Sequence, residues 1–234
     1  MEEQSMLHDI DLVETQTVKC LGKRHGVRYK DKIVYKIIMC GGSNRGQTSF
    51  ITRYTTGEFG MTTPTIGIDF ALKHLDMEDG QHVTLQLWDI AGQERTQKMN
   101  RMYYQGAHAC VIMFDLTYEK SLEISLKWKE DLDSKCTLEN GEPIPCILLA
   151  NKVDLASRRK FTTEEIEKFA RENNFIHFME TSVKNDINVT ESMQYLVKNL
   201  LEHENLPRAR QRDDSDPIIR AESTSKPKQD TGCC

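Results

Sequence analysis

A frame of two glycines constrains this chain more than any other feature. Gly41 and Gly46 are separated by four residues and followed by Gln47 and Thr48, which fits the pattern G-x-x-x-x-G-K-[ST] except that glutamine replaces lysine. A short apolar run leads into the frame, and a helical pattern follows it. Between a strand and a helix, successive backbone N–H groups and the helix N-terminus can surround an anion. The sequence therefore predicts a phosphate-binding loop in which one side chain is altered.

Short apolar runs alternate with helical patterns along the chain. The runs ACVIMF at 109–114 and CILLA at 146–150 lack alternating polar residues, which is typical of strands buried on both faces. Alternating strands and helices predict an α/β fold with a mostly parallel, six-stranded sheet covered by helices on both faces. The other predicted strands are 34–40, 68–77, 82–88 and 175–179, and the predicted helices are 48–56, 122–132, 162–173 and 189–201.

Composition divides the chain into three parts. Residues 1–33 are acidic at first and basic later, without apolar periodicity, so we expect a disordered leader. Residues 34–202 hold the alternating pattern and are long enough for one packed domain. Residues 203–234 are polar and end in Cys233 and Cys234, so we expect a disordered tail. Adjacent terminal cysteines of this kind indicate a site of modification.

Charge and hydropathy argue against several classes of function. The formal net charge is −5, whereas general nucleic-acid binding needs a concentrated basic surface, so no nucleic acid is expected as a partner. No apolar run approaches the roughly 18 residues needed to cross a bilayer. The N-terminal residues lack the apolar segment of a secretory signal, so we expect a cytosolic protein with reduced thiols.

The motif WDIAGQE supplies groups suited to phosphate chemistry. Asp89 ends an apolar strand, where a carboxylate can hold a magnesium-bound water, and Thr48 of the glycine frame offers a hydroxyl to the same ion. Gly92 permits close approach of the backbone to a γ-phosphate. Gln93 is both a donor and an acceptor, which suits the positioning of a water molecule for in-line attack. Gln93 is therefore the candidate catalytic residue.

The motif NKVD indicates which base accompanies the phosphates. The two carboxylate oxygens of Asp154 can pair with the N–H groups on one edge of guanine, and adenine cannot satisfy them. Discrimination of this type can reach roughly 10⁴–10⁵, because the wrong base leaves buried polar groups unpaired. The sequence therefore predicts a guanine nucleotide, GTP or GDP, together with Mg²⁺.

Gln47 is the altered position of the site. Its neutral amide can donate hydrogen bonds, but it brings no positive charge to the β- and γ-phosphates. Arg45, two positions earlier, could replace that charge if its side chain reached inward, although we expect it to point outward. Asn44 tolerates a left-handed backbone better than most residues, so the loop is expected to keep its shape.

With these motifs in place, the chain resembles the Rab family of Ras-like small GTPases over about 35–201. The phrases WDIAGQER, TIGIDFALK, WKEDLDSK, NGEPIPC, LLANK and ETSVK are most similar to the Rab branch associated with lysosome-related organelles and the Golgi. The resemblance implies the small-GTPase form of the α/β fold. Apart from Gln47, the chain departs from the family in having one residue fewer between Phe59 and Thr65 and in carrying Thr96 and Gln97 after the switch II arginine.

The resemblance also implies individual roles. Thr65 is expected to be the switch I threonine that reaches Mg²⁺ and the γ-phosphate, and Phe59 is expected to flank the guanine ring. Phe70, Trp88 and Tyr103 would form the aromatic triad that effectors read. The expected nucleotide site comprises Gly41, Ser43, Asn44, Arg45, Gly46, Gln47, Thr48, Ser49, Phe59, Thr65, Gly92, Asn151, Lys152, Asp154, Ser182, Val183 and Lys184, with Thr48, Thr65 and, through water, Asp89 at Mg²⁺.

Partners and location follow from the same resemblance. Cys233 and Cys234 would accept two geranylgeranyl groups, which would attach a monomeric protein to the cytosolic face of endomembranes of the Golgi, late endosomes or lysosome-related organelles, with a soluble cytosolic pool. An exchange factor, a GTPase-activating protein, prenyl-carrier proteins and effectors would be its protein partners.

Two functions remain open after the sequence is read. One is a membrane-anchored GTP/GDP switch in vesicle traffic that hydrolyses GTP slowly to GDP and phosphate. The alternative is a nucleotide-deficient, lipid-anchored binding module without significant GTPase activity. Gln47 is the residue on which the choice between these two functions depends. An ATP-using phosphotransferase is excluded, because NKVD selects guanine and the motif set of protein kinases is missing.

Overall fold

The computed structural model describes residues 27–29, 32–60, 65, 67–77, 80–91, 101–138 and 141–204. The strands are β1 Val27–Tyr29, β2 Lys32–Gly41, β3 Ile68–Asp76, β4 His82–Ile90, β5 Ala109–Asp115, β6 Cys146–Asn151 and β7 His177–Thr181. The helices are α1 Gln47–Thr56, α2 Arg101–Tyr104, α3 Ser121–Lys135, α4 Thr163–Glu172 and α5 Val189–Glu204, with a 3₁₀ helix at Val153–Arg158.

The six long strands form one sheet in the order β3-β4-β2-β5-β6-β7. Neighbouring strands from β4 to β7 are parallel, and β3 pairs with β4 as an antiparallel hairpin in which Phe70 lies opposite Trp88. The expected mostly parallel, six-stranded sheet with helices on both faces is therefore confirmed. Every residue of β5 and of β6 is buried, as their continuous apolar sequences predicted.

Alternation along the central strand β2 separates the core into two layers. Ile37 and Met39 face a cluster that includes residues of α1 and α5, whereas Ile38 and Cys40 face a cluster that includes residues of α3 and α4. Helices α1 and α5 therefore cover one face of the sheet, and α3 and α4 cover the other. This arrangement leaves the carboxyl edge of the parallel strands for connecting loops, which is where ligands bind in open α/β sheets.

A capping box fixes the start of α4. The Thr162 hydroxyl accepts a hydrogen bond from the Glu165 backbone N–H at 3.2 Å, and the Glu165 carboxylate accepts one from the Thr162 backbone N–H at 2.8 Å. Thr162 is therefore the N-cap residue of α4. Such caps stabilise a protein by about 1 kcal/mol.

The N-terminal boundary differs from the sequence-based expectation. Strand β2 begins at Lys32, and β1 pairs antiparallel with it inside the segment expected to be a disordered leader. Strand β5 pairs with β2 only from Ile37 onward, so β1 covers the earlier part of that edge. Three residues are too few to show periodicity, so no apolar pattern in this segment could indicate β1.

The leader up to residue 26 and the tail from residue 205 lie outside the described residues. Within the described part of the chain, none of the helices combines the length and apolarity that a membrane crossing requires.

Candidate nucleotide site

The glycine frame forms a tight loop between β2 and α1. Asn44 has a left-handed backbone with φ 62°, as its residue type allowed, and Gly46 has φ 100°. A Cβ atom on Gly46 would lie 2.6 Å from Nδ2 of Asn151, so only glycine lets β6 approach the loop this closely. From this position, Nδ2 of Asn151 donates a hydrogen bond to the Arg45 carbonyl at 2.8 Å.

Gln47 is buried beneath this loop. Its Nε2 donates a hydrogen bond of 3.3 Å to the Gly42 carbonyl, and a Cβ atom on Gly41 would lie 2.7 Å from the same nitrogen. The side chain therefore lies along the inside of the loop, where a phosphate-binding group would lie. It brings donors there but no charge.

Arg45 does not point outward, so that expectation is wrong. The residue is only 7% exposed, and its guanidinium carbon lies 4.5 Å from the centre of the Tyr118 ring. The absence of a side chain at Gly42 leaves the space, since a Cβ atom there would lie 3.3 Å from Arg45 Nε. Within the described residues, Nε has no hydrogen-bond partner, so stacking on Tyr118 is the contact that stabilises the buried cation.

Three oxygen-bearing side chains meet beside the loop. Thr65 donates to Oδ2 of Asp89 at 2.9 Å, Thr48 donates to the same oxygen, and the two hydroxyl oxygens are 2.7 Å apart. Each hydroxyl has one proton, so two hydroxyls that both donate to Asp89 have none left for their own short contact. Burial raises the pKa of Asp89, although both hydroxyls act in the opposite direction.

This donor set fits Mg²⁺. Oxygen atoms are the ligands that this cation prefers. A cation bound by the three oxygens would allow the two hydroxyl oxygens to lie close together without a proton between them. The structure therefore brings together Thr48, Thr65 and Asp89, the three residues expected at the metal. No cluster of three or more His, Cys, Asp or Glu side chains is found in the described ranges.

The loops after β6 and β7 form a second polar centre. Oδ1 of Asn151 accepts the Val183 backbone N–H at 3.2 Å, and the Ser182 hydroxyl donates to Oδ1 of Asp154 at 2.6 Å. Asp154 thus has one oxygen engaged and its orientation set by a neighbouring loop. A carboxylate fixed in this way can present its remaining lone pairs to a base edge. Lys184, at the end of the same loop, is exposed.

Lys152 links this centre to the glycine loop. Its ammonium lies 2.7 Å from Oδ2 of Asp115 and donates to the Asn44 carbonyl at 3.1 Å. Burial alone would raise the pKa of Asp115, but Lys152 and the Thr117 hydrogen bonds outweigh burial and hold that pKa below its ordinary value. Sequence reasoning missed Asp115, although its position at the end of a buried strand was an available signal.

The remaining expected residues lie in different environments. Phe59 is 46% exposed, Ser43 is exposed and Ser49 is half-buried. Phe70 and Trp88 form an edge-to-face pair with ring centres 5.4 Å apart, whereas Tyr103 is half-buried and packs against the core layer of α3 and α4. The expected residues that lie outside the described part of the chain are Gly92, Gln93, Thr96, Gln97, Cys233 and Cys234.

Comparison with known proteins gives a consistent set of relatives. The Ras family matches residues 36–202. Human Ras-related protein Rab-7L1 is 47% identical over 169 residues, which cover 72% of this chain and 83% of the relative. Ras-related protein Rab-32B of Dictyostelium discoideum is 45% identical over 74% of this chain and 66% of its own length. Human Ras-related protein Rab-32 is 39% identical over 86% of this chain and 89% of its own.

Proposed function

We propose a function on the premise that this chain belongs to the Ras family and, within it, to the Rab branch of Rab-32 and Rab-7L1. The chain is a membrane-anchored guanine-nucleotide switch whose affinity for phosphate is weakened by Gln47. Family membership makes it a small GTPase of vesicle traffic. The finer statement depends on one observation, which is the neutral, buried side chain of Gln47 bonded to the Gly42 carbonyl.

Guanine selection is assigned to Asp154. Ser182 holds one carboxylate oxygen at 2.6 Å, and Asn151 holds the adjoining Val183 peptide, so the carboxylate is oriented before a base arrives. Lys152 and Asn151 also attach this loop to the glycine frame. The loop of Asp154 is therefore hydrogen-bonded to the glycine frame, and these bonds do not involve the Gln47 side chain, so guanine selection is proposed to be independent of Gln47.

Phosphate binding is assigned to the backbone of the glycine frame, with Gln47 as a neutral donor. The related motif places a lysine at this position, and a charged donor makes hydrogen bonds roughly twice as strong as neutral ones. Arg45 does not replace the charge, because its guanidinium lies against Tyr118. We therefore infer rapid exchange of nucleotide and slow hydrolysis.

The metal is assigned to Thr48, Thr65 and, through water, Asp89. When bound, Mg²⁺ would supply positive charge that offsets the negative charge developing during phosphoryl transfer. The protein's part is to hold the two hydroxyls and the carboxylate at one place. Gln93 would orient the attacking water by donating and accepting hydrogen bonds, and Gly92 would admit the γ-phosphate.

Membrane attachment is assigned to Cys233 and Cys234. The tail from residue 204 carries six basic residues (208, 210, 212, 220, 226 and 228) and six acidic ones (204, 213, 214, 216, 222 and 230), so no basic cluster can act as a second signal. Stable anchoring therefore requires both lipid chains. We further propose a monomer on endomembranes of the Golgi, late endosomes or lysosome-related organelles. Its partners would be an exchange factor, a GTPase-activating protein, prenyl-carrier proteins and effectors.

The nucleotide content of freshly purified protein tests the proposal. Guanine nucleotide released on denaturation, without adenine nucleotide, would support the switch. Protein that is folded, free of nucleotide and unresponsive to added GTP would instead support the alternative that Gln47 favours, a lipid-anchored binding module. Equal competition by ATP and GTP would refute the guanine assignment.

A further inference from the structure

Arg53, in the last turn of α1, connects two parts of the candidate site that are distant in sequence. Its Nε donates to the Val183 carbonyl at 3.1 Å, and its Nη2 donates to the Lys184 carbonyl at 2.8 Å. Its Nη1 donates to the Gly57 carbonyl at 2.8 Å, and its guanidinium carbon lies 5.6 Å from the centre of the Phe59 ring. One side chain therefore joins the loop after β7 to the segment that follows α1.

The Val183 peptide is held from both sides as a result. Its N–H donates to Asn151, whereas its carbonyl accepts from Arg53. Asn151 in turn donates to the Arg45 carbonyl of the glycine loop. A continuous series of hydrogen bonds thus runs from the glycine loop to Gly57 through Asn151, Val183 and Arg53.

The chemistry of Arg53 suits this connection. Its fixed fork of N–H donors can satisfy several carbonyls at once, which an ammonium on a flexible chain does with less precision. The three acceptors are all backbone carbonyls, so the charge strengthens bonds to the main chain itself. Removing the side chain would free two adjacent peptides of the loop next to Asp154.

We propose that Arg53 is a positioning residue that couples the base-contacting loop 182–184 to the Phe59 segment, so that its loss accelerates release of guanine nucleotide and weakens base selection. The proposal rests on the proposed function, because it requires a guanine nucleotide in this pocket. Ser182 transmits the effect to the base, since its hydroxyl orients Asp154.

The test compares full-length parent protein with Arg53→Ala, Arg53→Lys and, as a matched control, Arg171→Ala on the exposed face of α4. Release rates of fluorescent GDP and IDP are measured for each, because inosine lacks the 2-amino group that Asp154 would bind. Amide hydrogen exchange of the nucleotide-free proteins is followed at residues 182–185 in parallel.

We expect Arg53→Ala to release GDP about tenfold faster than the parent, because charge-assisted hydrogen bonds are lost. The difference between its GDP and IDP release rates should become smaller. Arg53→Lys should release GDP at an intermediate rate, and Arg171→Ala should release it at the parent's rate. Amide hydrogen exchange at residues 182–185 should be faster in Arg53→Ala than in the parent and unchanged in Arg171→Ala.

Two results would overturn the proposal. The first is a release rate for Arg53→Ala within twofold of the parent with an unchanged GDP-to-IDP ratio, which would leave Arg53 a general structural residue. The second is unchanged hydrogen exchange at residues 182–185. If the parent binds no guanine nucleotide, the proposed function fails by itself, and hydrogen exchange still decides whether Arg53 holds the loop.

Discussion

Replacing Gln47 by lysine should restore the charge that the glycine loop lacks. Gln47 Nε2 already lies inside the loop, 3.3 Å from the Gly42 carbonyl, so a lysine following the same path places its ammonium among the same backbone groups. One charge-assisted hydrogen bond to phosphate is worth roughly 1.5–3 kcal/mol. Gln47→Lys should therefore raise the affinity for GDP and GTP by about 10- to 100-fold, since 1.4 kcal/mol is tenfold.

The kinetics should change in the same variant. Nucleotide release should slow and single-turnover hydrolysis should become faster, because the lysine also stabilises charge in the transition state. The nucleotide-free variant should be less stable than the parent, since residue 47 is only 6% exposed and a buried ammonium needs an anion. Thermal unfolding with and without GDP measures this difference directly.

Gln47→Met provides the matched control. Methionine has nearly the length of glutamine but lacks both the amide donor and a charge, so it separates side-chain size from charge. The reasoning would be refuted if Gln47→Lys left affinity, release and hydrolysis all unchanged, or if Gln47→Met improved them equally. Either result would mean that charge at residue 47 does not limit phosphate binding.

Three further changes test other parts of the molecule. Asp154→Asn should weaken GDP binding and shift preference toward xanthosine diphosphate, whose extra carbonyl can accept from an amide; unchanged preference in competition assays would contradict the assignment. The Cys233→Ser/Cys234→Ser double variant should be soluble in cell fractionation, and recovery with membranes like the parent would place the anchor elsewhere. Thr162→Ala should cost about 1 kcal/mol and lower Tm by about 2–4 °C, because the cap of α4 is lost, with no change in nucleotide release; an unchanged Tm would contradict the cap's contribution.

Most of the fold could be predicted because its signals are local. The continuous apolar sequences of β5 and β6 predicted burial on both faces, and helical spacing predicted a helix at 162–173, where the structure has α4 at Thr163–Glu172. Strand β1 and the four-residue helix α2 could not be predicted, because three or four residues carry no measurable periodicity. Their positions depend on the sheet edge or helix that they pack against.

The candidate site divides in the same way. Motifs indicated Thr48, Asp89, Asn151 and Asp154 because each lies at a fixed offset from a glycine or a strand end. The contacts of Arg53 could not be predicted, since its acceptors at Val183 and Lys184 are 130 and 131 residues away in sequence. Pairings at such separations are decided by the assembled sheet and have no local signature.

Arg45 shows why a motif alone can mislead about charge. Gly42 leaves a space beside the loop and Tyr118 supplies an aromatic face, so the guanidinium folds away from its expected outward direction and stacks there. The chain thus has a cation two residues from the altered position, yet that cation contacts an aromatic ring, whereas Gln47 follows the inside of the loop. Under the proposed function, phosphate binding would then depend on backbone N–H groups and on a metal held by the oxygens of Thr48, Thr65 and Asp89. The hydrogen bond that orients Asp154 comes from Ser182 and does not involve Gln47, so under the same proposal the pocket would lose phosphate affinity without losing its choice of guanine.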